Sequence, residues 1–120
     1  MSAAAASATP RRGEIWRVDF DPVRGHEQGR VRPALVISND ILNQSASATL
    51  TVVPITTKAR KLRSYLRVDP PDGGLPNVSY LICDQVRTIS KERLGRRYGA
   101  LSRSALAEVE TRLKFLLDLP

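Results

Sequence analysis

The apolar residues of this chain keep one period for most of its length and a different one at its end. Up to Ile89 they fall in short alternating or continuous runs separated by turn residues. From Ser102 onward Leu106, Val109, Leu113, Leu116 and Leu117 recur at helical spacing. Period-two alternation requires a half-buried strand, and three- and four-residue steps require an amphipathic helix. Short strands that each bury a face must pack on one another or close on themselves, and one final helix then covers what core is left. The expectation is a mainly β (α+β) domain, a small β-barrel packed against a C-terminal amphipathic helix.

The individual runs bear this out as a sequence pattern. Glu14 to Phe20 alternates, with Trp16, Val18 and Phe20 on one face, and Asp21-Pro22 ends it. Gly25 to Gly29 reads as a polar loop. Pro33 to Ser38, centred on Ala34-Leu35-Val36-Ile37, is continuously apolar and short, as a strand buried on both faces must be. Asn39-Asp40 then turns the chain. Thr49 to Thr57 is rich in β-branched residues, but Pro54 cannot donate to a ladder and predicts an edge or a bulge there. Lys58 to Leu62 reads as a short helical turn, Tyr65 to Val68 as a strand and Pro70 to Gly74 as a loop. Val78 to Ile89 begins apolar and becomes polar at Asp84-Gln85 and Arg87-Thr88, the pattern of a strand running from core to a functional surface. Ser102 is placed to cap the final helix, and Pro120 can only follow its end. Residues 1–11 read as a flexible Ala/Ser-rich tail and residues 12–120 as one domain.

Composition narrows the chemistry. The 120 residues carry a formal net charge of +7, and a small basic domain attracts polyanions, of which nucleic acid is the commonest. A single cysteine, Cys83, rules out an internal disulfide and a thiol-based zinc site; a single histidine, His26, rules out two-histidine metal motifs. No apolar run approaches the roughly 20 residues of a membrane span. The opening MSAAAASATP lacks the basic and apolar regions of a secretory signal, so the expected location is the reducing cytoplasm. Walker-type and dinucleotide-binding glycine motifs are absent, and no serine sits in an elbow motif.

What remains is phosphate-ester chemistry run by arginine, hydroxyl and carboxylate groups. RNA supplies its own nucleophile, the 2′-OH, so the protein need only align the strand, stabilise charge on the phosphoryl oxygens and move two protons. Guanidinium suits the second task through its bidentate geometry and constant charge. No cofactor or metal is needed for these steps.

Arg12-Gly13-Glu14-Ile15-Trp16, Gly25-His26-Glu27-Gln28-Gly29, Val31-Arg32-Pro33-Ala34-Leu35-Val36-Ile37, Val53-Pro54-Ile55-Thr56 and Asp84-Gln85-Val86-Arg87-Thr88-Ile89 follow one another in order. Together they resemble the successive blocks of the MazF/PemK/Kid toxin family, and the resemblance covers Arg12 to Leu119. It implies an SH3-like β-barrel with a terminal helix, a homodimer, and a metal-independent endoribonuclease that cleaves single-stranded RNA, chiefly mRNA, under the control of an antitoxin with an acidic tail. It also implies roles position by position. Arg32 and Thr56 match the catalytic arginine and threonine. Glu27 and Gln28 match a pair that contacts bases, and Asp84, Gln85, Arg87 and Thr88 match residues lining the same groove. His26 and Asp84 fall where one branch of the family places its proton-transfer residues. That branch also has an arginine two residues before the aspartate, where this chain has Ile82, so its mechanism does not transfer intact.

Taken alone, the same residues have plainer readings. Arg32 before Pro33 reads as a strand-entry arginine, Thr56 as an ordinary strand former, His26 as a solvated loop residue, and Asp84 as an ion-pair partner for Arg87. Cys83 reads as a small buried hydrophobe and Trp16 as core. Lys58, Arg60, Lys61 and Arg63 form either a solvated face or a rim that binds a nucleic-acid backbone. Two rivals to the ribonuclease use the same features: a CcdB-like toxin that poisons gyrase without being an enzyme, and an RNA-binding barrel without turnover.

Overall fold

The computed structural model describes residues 9–21, 25–26 and 30–120. Seven antiparallel strands form it: β1 (Glu14–Asp19), β2 (Val31–Val36), β3 (Thr49–Thr56), β4 (Tyr65–Val68), β5 (Ser79–Ile82), β6 (Arg87–Ser90) and β7 (Leu94–Ala100). A one-turn helix, α1 (Asp40–Asn43), follows β2, and the long helix α2 (Arg103–Leu116) ends the chain. The strands run in the order β4-β5-β3-β2-β1-β7, with β6 pairing β3. Among the described residues no ladder joins β4 to β7, so the sheet is coiled in the manner of a barrel but not closed. The mainly β architecture with a terminal helix is as the sequence predicts.

Both faces of the central strands are buried. Ile15, Leu35, Val53, Ile55, Leu81 and Val109 belong to a core between the sheet and α2, on which Leu106 and Leu113 also pack. Trp16, Val18, Phe20, Ala34, Val36 and Val52 belong to a second core on the other face. Leu35 therefore faces one core and its neighbours Ala34 and Val36 the other, which is why that run is continuously apolar. Trp16 is core, and its indole N–H donates to Glu14 Oε1 at 3.1 Å. Burial alone would raise the Glu14 carboxyl, but the hydrogen bonds from Trp16, the Arg11 backbone and Arg97 outweigh it and hold the group below its usual range.

Three expectations need correction. Pro54 does not lie on an edge strand, since β3 is the centre of the sheet. On one edge β3 changes partners, from β6 at Val52↔Arg87 to β5 at Ile55↔Leu81. Pro54 falls in that gap, where no ladder pair is demanded of it on that side. Lys58 to Leu62 forms no helical turn, since three cations in five residues leave no apolar face to hold one. The run from Val78 to Ile89 is two strands broken by a 3-10 turn at Cys83–Gln85. In addition, Asn39-Asp40 is more than a turn, because the Asn39 side chain accepts from Leu42 N and caps α1.

Helix α2 starts where Ser102 predicts. Ser102 Oγ accepts from Ala105 N at 3.3 Å, while Asp72 accepts from both the backbone N–H and the hydroxyl of Ser102, each at 2.7 Å. Arg12 ties the helix to the end of β2, donating to Glu110 at 2.6 Å and to the Ile37 carbonyl at 3.1 Å. No described helix is long and apolar enough to cross a membrane.

Candidate active site

Register brings the two central residues together. Strands β2 and β3 pair with Ala34 opposite Pro54. Carried two residues further, the same register sets Arg32 level with Thr56, and both line one cleft of about 420 Å³. Side chains two apart share a face of a strand, so Arg32 and Thr56 lie on the side of Ala34 and Pro54, at the rim where the second core gives way to solvent.

Thr56 is nearly buried, with 6% of its surface exposed. Its Oγ1 accepts a hydrogen bond from the Lys58 backbone N–H at 3.2 Å. A hydroxyl that accepts on one side keeps its own proton for another partner. Thr56 thereby keeps its hydroxyl proton available to a partner in the cleft.

The opposite wall is built by the 3-10 turn. Cys83 is fully buried, and its N–H donates to the Ser64 carbonyl at 2.9 Å. Burial pushes its thiol up to about 11, so it stays protonated and serves as an apolar root for the turn. Asp84, the next residue, is exposed and lines the cleft with Gln85. Gln85 Nε2 donates to the His26 carbonyl at 3.4 Å, a long bond that brings the loop between β1 and β2 to the turn. His26 is exposed and also lines the cleft.

The predicted residues thus divide. His26, Arg32, Thr56, Asp84 and Gln85 share the cleft. Arg87, half-buried on β6 with its guanidinium 4.3 Å from the centre of the Phe20 ring, lines an adjoining hollow of about 340 Å³ with His26, Asp84 and Gln85. Thr88 does not line the main cleft: its hydroxyl lies 3.2 Å from that of Thr51, and it lines a further hollow with Phe20, Thr49, Arg87 and Arg93. Glu27 and Gln28 lie outside the described residues. Lys58, Arg60, Leu62 and Tyr65 complete the lining of the main cleft. The one sequence signal for the first two was a basic run starting just after Thr56, which left a solvated face and a binding rim equally open. Among the described residues no three His, Cys, Asp or Glu side chains gather as a metal ligand set.

A family model described as PemK-like, MazF-like toxin of type II toxin–antitoxin systems matches residues 11–117. The chain belongs to this toxin family. It is 40% identical over 114 residues to endoribonuclease MazF9 of Mycobacterium tuberculosis, covering 91% of this chain and 97% of that one. The fold is shared with MazF from Deinococcus radiodurans at a TM-score of 0.84 and 26% identity, over 94% of this chain and 100% of that one. An endoribonuclease solved with its cognate antitoxin, from a mycobacterial species, matches at a TM-score of 0.77 and 27% identity, over 92% and 97% of the two chains. The departure at Ile82 has a structural counterpart: this toxin buries that side chain completely at the end of β5, where a charged arginine could not be left without a partner.

Proposed function

We propose that the chain is a metal-independent, sequence-selective endoribonuclease that cuts single-stranded RNA, chiefly mRNA, in the cytoplasm. The observation that carries this is the meeting of Arg32 and the Thr56 hydroxyl in one cleft, whose described lining holds more cations than carboxylates. The 2′-oxygen of the substrate forms a bond to phosphorus, the bond from phosphorus to the 5′-oxygen breaks, and the products are a 2′,3′-cyclic phosphate and a 5′-OH. Arg32 and Thr56 meet the charge that grows on the phosphoryl oxygens. The 2′-OH must lose one proton and the departing oxygen gain another, and His26 and Asp84 line the same cleft for that task. A relative 40% identical that is named an endoribonuclease does not favour the gyrase-poisoning alternative.

Purified protein incubated with a long RNA in excess EDTA is expected to cut it at a restricted set of sites and leave 5′-hydroxyl ends. Activity lost in EDTA and restored by magnesium would reject the mechanism; RNA bound but never cut would favour a binding barrel. The antitoxin's acidic tail, in this reading, occupies the same cationic cleft, as a disordered acidic segment can when it folds on binding. In the same assay it therefore raises KM and leaves kcat unchanged, and the reverse pattern counts against overlap.

A homodimer is part of the proposal, supported by an apolar surface with no cover. Phe115 at the end of α2 is 72% exposed, and Leu116, Leu117 and Leu119 are exposed as well. Clustered apolar exposure of this kind marks an interface. Light scattering at micromolar concentration is expected to give the mass of two chains, and Phe115→Glu to give one. A parental protein of single-chain mass rejects the dimer.

A further inference from the structure

We propose that Lys58 and Arg60 hold the phosphate next to the scissile one, a backbone subsite that fixes where along the strand the cut falls. The inference rests on the ribonuclease reading and adds to it a binding site and a substrate requirement.

The basic run is split by the fold. Lys58 and Arg60 line the cleft beside Arg32 and Thr56. Arg63 instead lines a hollow against α2, and its carbonyl accepts from Arg112 Nε at 3.0 Å. Lys61 is exposed and lines neither. A merely solvated run would have no reason to divide in this way.

Charge gives the second argument. Among the described residues, Arg32, Lys58 and Arg60 are the cations of the cleft lining and Asp84 its carboxylate. Lys58 and Arg60 thus bring positive charge for a second phosphate beside the one that meets Arg32. Among the described residues neither Lys58 nor Arg60 enters an ion pair within the chain. Their side chains are exposed, so a phosphate reaches them without a desolvation penalty of the kind a buried cation carries.

Geometry gives the third. The hydrogen bond from Lys58 N to Thr56 Oγ1 fixes the backbone of Lys58 relative to the hydroxyl that meets the reacting phosphate. A cation rooted two residues from that hydroxyl reports on the neighbouring nucleotide rather than on a distant part of the strand. Arg60, two residues further, can close on the same phosphate with its planar fork.

The test uses the shortest single-stranded RNA that the full chain cleaves, remade with an uncharged methylphosphonate at one linkage on either side of the cut. For the parental protein one of the two neutral linkages is expected to lower kcat/KM about tenfold, the size of a charge-assisted hydrogen bond. Lys58→Ala/Arg60→Ala is expected to lose a similar factor on the all-phosphate RNA, mainly through KM, and to be less than about twofold sensitive to the neutral linkage. Its binding to that RNA should also fall less steeply with salt, the log–log slope shrinking by roughly 0.7 for one phosphate released. An unchanged melting temperature keeps the comparison one of binding. A variant with parental kcat/KM, the same sensitivity to the neutral linkage or the parental salt slope overturns the proposal. If the parental protein cuts no RNA while the salt slopes on uncut RNA still differ, the reaction is wrong and Lys58 and Arg60 remain a phosphate-binding site.

Discussion

Arg32→Ala is expected to lower kcat for RNA cleavage by about 100- to 1000-fold, with little change in KM and a melting temperature within a few degrees of the parental value. The size follows from the role. A donor aimed at charge that develops only in the transition state typically contributes on the order of 3–4 kcal/mol, and its loss appears in kcat. The fold should tolerate the change because position 32 contributes to the sheet through its backbone, opposite Val18 of β1, and alanine keeps that pairing. Thr56→Ala should slow turnover as well, since the hydroxyl held by Lys58 N is the second donor in the cleft. Because both act on one phosphoryl group, the double mutant should lose less than the product of the single losses. Single-turnover rates with saturating RNA and a thermal melt of each variant decide the matter. A folded Arg32→Ala protein that cleaves at the parental rate ends the assignment, and the chemistry would pass to His26 and Asp84.

The parts of the fold that were legible in the sequence are those where burial imposes a period. Trp16, Val18 and Phe20 alternate because β1 faces a core, and the strand appears at Glu14–Asp19, one residue short of the expected span. Leu106, Val109 and Leu113 recur at helical steps because α2 lies on the sheet, and Ser102 caps it as its side-chain chemistry predicts. Strand β7 carried no such mark. It pairs with β1 alone, and its Gly95, Arg96, Arg97 and Ala100 are exposed, so neither alternation nor β-branched residues announce it. The missed break at Cys83–Gln85 has a similar cause. Cys83 is as apolar in its surroundings as the strand before it, and only Asp84 turns outward.

The candidate site was legible in part, for reasons that lie in the register. Arg32 and Thr56 are 24 positions apart in the chain, and no local pattern joins them. The resemblance to a toxin family did, and the β2–β3 pairing supplies the physical reason. The resemblance named Thr88 with the same groove; in the structure it lines a hollow that shares Arg87 with the one beside the cleft. Leu62 and Tyr65 entered the cleft unannounced, because the path of the irregular segment between β3 and β4, which carries Leu62 and sets where Tyr65 begins β4, has no sequence period of its own.

The largest stability effect is expected far from the cleft, at Gly74. Its φ of +73° lies in the left-handed region, and a Cβ there would sit 2.2 Å from the Tyr98 carbonyl oxygen of β7. An L-residue costs about 1–2 kcal/mol in that conformation, and forcing atoms into a packed site adds roughly 1–3 kcal/mol. The atom in the way is backbone, so no side-chain rotation relieves it; the turn or β7 must move. That turn also carries Asp72, whose carboxylate holds the first N–H of the α2 cap through Ser102. Displacing it loosens the helix that covers the core around Val109 and packs on the turn bearing Asp84. Gly74→Ala should therefore lower the melting temperature by roughly 10–20 °C, at about 4 °C per kcal/mol for a chain of this size. Gly25→Ala is the matched control. Its φ is +63°, but among the described residues nothing lies within 4 Å of the added Cβ, so the conformational cost applies and the fall should be about 5 °C. Calorimetric melts of the two variants beside the parental protein test the difference. Equal, small shifts for both would mean that the close approach of Gly74 to β7 does not hold the turn against the barrel.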